Sequence, residues 1–126
     1  MEPNSSLSPG EWKLMELLWQ SPHTLMELTA KLGKSMLWSK STVATMLRRM
    51  EAKGLIRYDT VERTKHFVPC VTREDASSRE TTTLLDKAYQ GSVGLMVSSL
   101  IRQKPLTRDE IDELYAILRK AEEDAQ

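Results

Sequence analysis

The chain is poor in several things, and each scarcity removes a class of explanation. It has one cysteine, Cys70, so no internal disulfide framework holds it, and the count fits a reducing compartment. Its two histidines, His23 and His66, have no cysteine or acid at a spacing that suggests a triad. His66 and Cys70 are four residues apart, but in an extended segment that puts them about 13 Å apart, a poor start for a metal site. Only five glycines are present, and none builds a phosphate-cradling loop. No apolar run approaches the roughly 18 residues that span a bilayer. The opening MEPNSSLSPGEWK has no basic start followed by an apolar stretch, so it does not read as a signal peptide. The expectations are a cytoplasmic chain with no membrane contact of its own, no cofactor, no metal and no catalytic site: not an enzyme.

Excess charge of either sign is also lacking, with 18 Lys/Arg against 18 Asp/Glu. That balance argues against a polyanionic partner until the charges are placed along the chain. Residues 1–70 hold ten Lys/Arg and seven Asp/Glu, whereas residues 71–126 hold eight and eleven. Between Lys31 and Lys53 six basic residues face one acid, Glu51. A basic part joined to an acidic part suits a nucleic-acid binder with a separate oligomerisation segment. With 40% hydrophobic and 29% charged residues, the chain has the composition of a folded domain and not of a disordered one.

Helix signals recur. Ser8-Pro9-Gly10-Glu11 is a capping box with Pro9 at the first helical position, and Trp12, Met15, Leu18 and Trp19 follow at helical spacing until Ser21-Pro22 stops them. Thr24-Leu25-Met26-Glu27 opens a second helix, with Leu25, Leu28 and Leu32 on one face and Gly33 as its C-terminal cap. A third helix runs from Lys40 to Lys53, capped by Ser39 and stopped by Gly54. Val43, Met46, Leu47 and Met50 form its apolar stripe. Ser41, Thr45, Arg48 and Ala52 form the opposite face, flanked by Thr42 and Arg49. Two strands, Leu55–Tyr58 and Lys65–Val68, are separated by a polar segment, Asp59 to Thr64, whose tip carries Arg63 and Lys65.

Helix, helix, basic helix and hairpin spell a winged helix-turn-helix. The remainder reads as three helices: about Arg73 to Tyr89, about Ser92 to Arg102, and one from Thr107, where Thr107 and Glu110 form another capping box. The fold class is mainly α with a small β-hairpin, divided into a winged-helix domain over 1–71 and a helical dimerisation segment over 72–126. The second of the last three helices carries Val93, Met96, Val97, Leu100 and Ile101 on a wide face and no charge before Arg102; the last carries Ile111, Leu114 and Leu118 on a stripe. A segment of this size buries little surface alone. A second copy of the chain is the economical cover, and a homodimer would also hold two recognition helices about one DNA turn apart.

Lys40, Ser41 and Thr42 fall in the first turn of the basic helix, where free N–H groups suit a phosphate. Thr45 is placed for a base edge or thymine methyl, and Arg48 and Arg49 for guanine or phosphate. Arg63 and Lys65 suit the backbone or minor groove. Trp12, Trp19 and Trp38 read as packing residues and not as base-stacking platforms.

The chain resembles the penicillinase-repressor and methicillin-resistance-repressor family of winged-helix proteins. The resemblance is carried by Leu7-Ser8-Pro9-Gly10-Glu11-Trp12, by Trp38-Ser39-Lys40-Ser41-Thr42-Val43-Ala44-Thr45-Met46-Leu47-Arg48-Arg49-Met50, and by Lys53-Gly54-Leu55. Tyr89-Gln90-Gly91-Ser92 and Thr107-Arg108-Asp109-Glu110-Ile111-Asp112-Glu113-Leu114 extend it. It implies a dimeric transcriptional repressor on palindromic double-stranded operator DNA. It also implies release by cleavage in the dimerisation part, triggered by a membrane-bound sensor protease. The best-known members carry an Asn-Phe bond there; Ser99 and Leu100 stand at those positions here, a departure from the pattern. Copper-responsive relatives carry a C-terminal cysteine cluster, which Ala121 to Gln126 does not contain. Two other readings remain: a winged-helix interaction module without sequence-specific DNA binding, and a repressor with a small-molecule pocket.

Overall fold

Capping residues set the beginnings of the helices. In the computed structural model, which describes residues 7–125, both halves of the capping box form at Ser8/Glu11, Thr24/Glu27 and Thr107/Glu110. The elements run α1 (Pro9–Leu18), α2 (Leu25–Ser35), α3 (Lys40–Ala52), β1 (Ile56–Val61), β2 (Thr64–Pro69), α4 (Arg73–Tyr89), α5 (Val93–Gln103) and α6 (Arg108–Asp124). Residues 1–6, which open the stretch read for a signal peptide, and Gln126 lie outside the described residues. No helix among the described residues is long and apolar enough to cross a membrane.

The chain forms two compact units, Met1–Thr83 and Leu84–Gln126, which divide inside α4. The first has a core drawn from α1, α2, α3, both strands and the first turn of α4. Leu14, Met15, Leu18, Leu28, Val43 and Met50 are fully buried. Each such side chain stabilises the fold by about 1.5–3 kcal/mol relative to exposure. Ala76 brings α4 into this core, and Trp19 binds the same region by donating its indole N–H to the Val71 carbonyl at 2.9 Å. Trp12 and Trp19 meet edge to face with centroids 5.7 Å apart, and Trp38 also packs on the core, so all three tryptophans are packing residues.

α3 ends in a Schellman motif. Gly54, at φ +80°, donates to Glu51 O, and Leu55 N donates back to Met50 O, both at 3.0 Å. The buried Leu55 and Met50 supply the apolar contact that accompanies this turn.

Four local expectations change. Gly33 does not end α2: the helix runs through it to Ser35, Met36 is the C-cap, and Leu37 takes the left-handed conformation at φ +60°. With Leu32 buried and Trp38 docked on the core, packing at both ends sets the length of the turn and overrides the glycine signal. The strands reach further than expected, to Val61 and from Thr64, so most of the polar segment is paired strand. Only Glu62 and Arg63 form the turn, both at positive φ, in the manner of a type I′ hairpin. The sequence lacks the Asn-Gly pair that announces such a turn. Lys65 therefore sits not at the tip but within β2, opposite Thr60, with its ammonium 4.3 Å from the Tyr58 ring centre. His23, read as a turn residue, forms a bridge to β2: its N–H donates to Phe67 O at 3.2 Å, and Phe67 N–H donates to His23 O at 2.8 Å.

In the second unit, α5 and α6 enclose an apolar cleft of about 210 Å³, lined among others by Val97, Ile101, Ile111, Leu114 and Leu118. None of the described residues of this unit is buried.

Candidate nucleic-acid interface

The side chains that could meet a polyanion come from α3 and the hairpin. α3 is capped by Ser39, whose Oγ accepts the Thr42 N–H at 3.2 Å and donates to Thr42 Oγ1 at 3.1 Å. Unlike α1, α2 and α6, α3 carries no acid in its first turn, so the positive end of its dipole is left without an anion of its own. Lys40, Ser41 and Thr42 are exposed at this end. On the outward face, Arg48 and Arg49 are exposed, whereas Thr45, expected there too, is half-buried. Its Oγ1 accepts a hydrogen bond from Arg48 at 3.2 Å, which fixes one guanidinium nitrogen over the middle of α3.

The hairpin brings its cations to the same side. A cleft of about 400 Å³ opens between the start of α2, α3 and β2, and Arg48, Arg63 and Lys65 line it together, over a floor that includes Leu25, Leu47 and Phe67. Arg63 comes from the turn and Lys65 from the strand face that also carries Tyr58 and Phe67. Lys40, Ser41, Thr42 and Arg49 do not line this cleft. Thr24, Met26, Glu51 and Thr64 do, and sequence spacing did not single them out as site residues. Thr24 reads only as a cap, and the other three lack a pattern until α2, α3 and β2 are folded against each other.

Three cations of this unit are paired with acids. Lys53 pairs with Glu11 at 2.7 Å, Arg57 with Asp59 at 2.8 Å, and Arg73 with Glu16. Among the described residues, Lys40, Arg48, Arg49, Arg63 and Lys65 form no ion pair. The pKa directions follow the local bonds. The Thr24 backbone N–H holds the Glu27 carboxyl below its usual range, against a smaller opposing effect of desolvation. The Glu16 carboxylate raises Arg73 by hydrogen bonding to it. No described group of three or more His, Cys, Asp or Glu side chains is arranged to hold a metal.

A wing beside a cationic helix is a nucleic-acid-binding geometry. The sequence model of the penicillinase repressor family matches residues 7–120. The chain belongs to the penicillinase repressor family. Relatives in that family include the penicillinase repressor of Bacillus licheniformis, 28% identical over 95% of this chain and 94% of the relative. The methicillin resistance regulatory protein MecI of Staphylococcus aureus (strain N315) is 24% identical over 90% of this chain and 94% of its own length. The solution structure of the DNA-binding domain of the repressor BlaI is similar at a TM-score of 0.53 and 26% identity, covering 60% of this chain and 93% of that domain. The penicillinase repressor family consists of DNA-binding transcriptional repressors, so this member is a transcriptional repressor and not an enzyme.

Ser99 and Leu100 lie within α5. Ser99 Oγ accepts a hydrogen bond from Tyr89 Oη at 3.0 Å. The residues expected to dimerise, Val93, Met96, Val97, Leu100, Ile101, Ile111, Leu114 and Leu118, are all exposed or half-buried.

Proposed function

We propose that this repressor acts as a homodimer on palindromic duplex operators. The winged-helix part, 1–71, lays α3 in the major groove, and the helical part, 72–126, joins the two copies. Thr45 and Arg48 reach base edges; Lys40, Ser41, Thr42 and Arg49 hold phosphates; Arg63 and Lys65 hold the flanking backbone or minor groove. The observation that carries this reading is the convergence of Arg48, Arg63 and Lys65, none with an acidic partner among the described residues, on one cleft. Pairing through the second unit is supported by the unburied apolar face of α5 and apolar stripe of α6.

Release follows from cutting the Ser99–Leu100 bond under a membrane-bound sensor protease, which would divide α5 and weaken the dimer. An extended protease groove would first have to unwind that helix. Full-length repressor recovered from induced cells would sink this part of the proposal.

The test of operator binding is selection of the pure protein against a randomised duplex pool, followed by anisotropy titration of the enriched sequence at two salt concentrations. A palindrome bound far more tightly than random duplex, with affinity falling steeply as salt rises, is the expected result. Thr45→Ala and Arg48→Ala should each weaken operator binding without unfolding the chain. Wild-type affinity in both would remove α3 as the reading element, and no enriched sequence at all would favour a protein-interaction module.

A further inference from the structure

The first turn of α1 touches α3 and the residue leading into it at three points. A Cβ on Gly10 would stand 2.7 Å from Met46 Cε, the free end of a flexible side chain, and 3.2 Å from the Trp38 ring, so α1 and the approach to α3 lie close together there. One residue on, Glu11 is only 6% exposed. Its Oε1 accepts the Ser8 N–H at 2.9 Å, and its Oε2 accepts from Lys53 Nζ at 2.7 Å, across 42 residues of chain. Lys53 is the C-cap of α3. The turn thus meets α3 at its approach, its middle and its end.

A carboxylate withdrawn from water is strongly unfavourable unless a partner is held against it, so Glu11 ties the start of α1 to the end of α3 through Lys53. Two other ion pairs of the first unit, Arg57–Asp59 and Arg73–Glu16, join more exposed groups and do not involve α3. Geometry matters here because base-edge hydrogen bonds tolerate only tenths of an ångström. α3 is about 20 Å long, and a tilt of about 5° would move its far end by nearly 2 Å.

We propose that Glu11 and Lys53 are positioning residues for DNA recognition: their ion pair, with Gly10 packed beside it, fixes the angle at which α3 presents Thr45 and Arg48 to the groove. This rests on α3 being the element that reads bases.

The experiment titrates the full chain on the selected palindrome and on random duplex, at two salt concentrations, with thermal melts of every variant. The variants are Glu11→Gln, which keeps a capping-box acceptor but loses the charge, Lys53→Met, Lys53→Arg, the Glu11→Gln/Lys53→Met double, Thr45→Ala and Arg48→Ala. Glu11→Gln and Lys53→Met should each weaken operator binding by about tenfold. Their affinity for random duplex should stay within about twofold and their salt dependence should be unchanged, because no phosphate contact is lost. The double variant should be no worse than either single one, and Lys53→Arg should keep operator affinity.

Wild-type operator affinity in a Glu11→Gln protein that melts early would overturn the proposal and leave the pair a structural tie. So would a salt slope reduced by about two in Lys53→Met, which would make the Lys53 of each protomer a phosphate ligand. If Glu11→Gln does not fold, Lys53→Met breaks the same ion pair at its more exposed end and should show the same selective loss. Wild-type operator affinity in that folded variant would overturn the proposal equally. Undiminished operator affinity in both Thr45→Ala and Arg48→Ala would mean that α3 does not read bases, and the proposal would fall with it. Loss in Arg48→Ala but not in Glu11→Gln would overturn the positioning role alone.

Discussion

Two residues in the first unit hold similar backbone conformations with opposite consequences. Gly54 sits at φ +80°, where a side chain would crowd the following carbonyl. Gly54→Ala should therefore destabilise the protein by about 1–2 kcal/mol. Leu37 sits at φ +60° and is 88% exposed, so its side chain gains little from packing while its backbone carries the strain. Leu37→Gly should raise stability by about 0.5–1 kcal/mol. Urea unfolding at one fixed protein concentration measures both, and equal signs for the two changes would contradict the argument.

Glu27 and Glu110 add a residue-scale pH dependence. Each accepts the backbone N–H of its N-cap threonine, which holds its carboxyl below the ordinary range in the folded chain. A carboxyl whose folded value is depressed contributes stability that is complete above its unfolded value and is lost as pH falls through the folded one. Helix content should therefore fall on acidification below the usual carboxylate range, and Glu110→Gln should flatten that fall. Far-ultraviolet circular dichroism against pH reads the change.

At the scale of elements, the hairpin shows where local rules stop. Its strands are legible because Ile56 and Phe67 must face the core, but its turn is not, since Glu62 and Arg63 lack the residues that favour positive φ. The double change Glu62→Asn with Arg63→Gly supplies both of them and tests the whole turn. It should raise stability by about 1 kcal/mol with the register retained. It should also lower the salt slope of operator binding by about two, because one Arg63 is removed from each protomer of the proposed dimer. A stability gain with an unchanged slope would take Arg63 off the DNA. α3 lies at the other extreme: Ser39, the Val43–Leu47–Met50 stripe and Gly54 define its start, buried face and end within a single stretch of chain.

At the scale of the molecule, the second unit is the least self-sufficient part. Val93, Leu100 and Leu118 are each more than half exposed, and none of the described residues in that unit is buried. Exposed apolar faces of that kind are covered most economically by a second copy of themselves. Leu118→Asp should convert the proposed homodimer to a folded monomer in sedimentation equilibrium. Because two linked half-site contacts become one, operator affinity should fall by about a hundredfold. A dimer that survives this change would put the pairing surface elsewhere.

The sequence by itself determined whatever lies within about four residues: the capping boxes at Ser8, Thr24 and Thr107, the apolar stripe of α3, and the stop at Gly54. Helical hydrogen bonds and side-chain neighbours act at that range, so spacing alone encodes them. The tertiary structure decided what spans the chain. It overruled Gly33 in favour of Leu37, joined His23 to Phe67, set Lys53 against Glu11, and gathered Arg48, Arg63 and Lys65 around one cleft. Those pairings have no local periodicity, because they form only when packing a shared core brings distant segments within bonding distance.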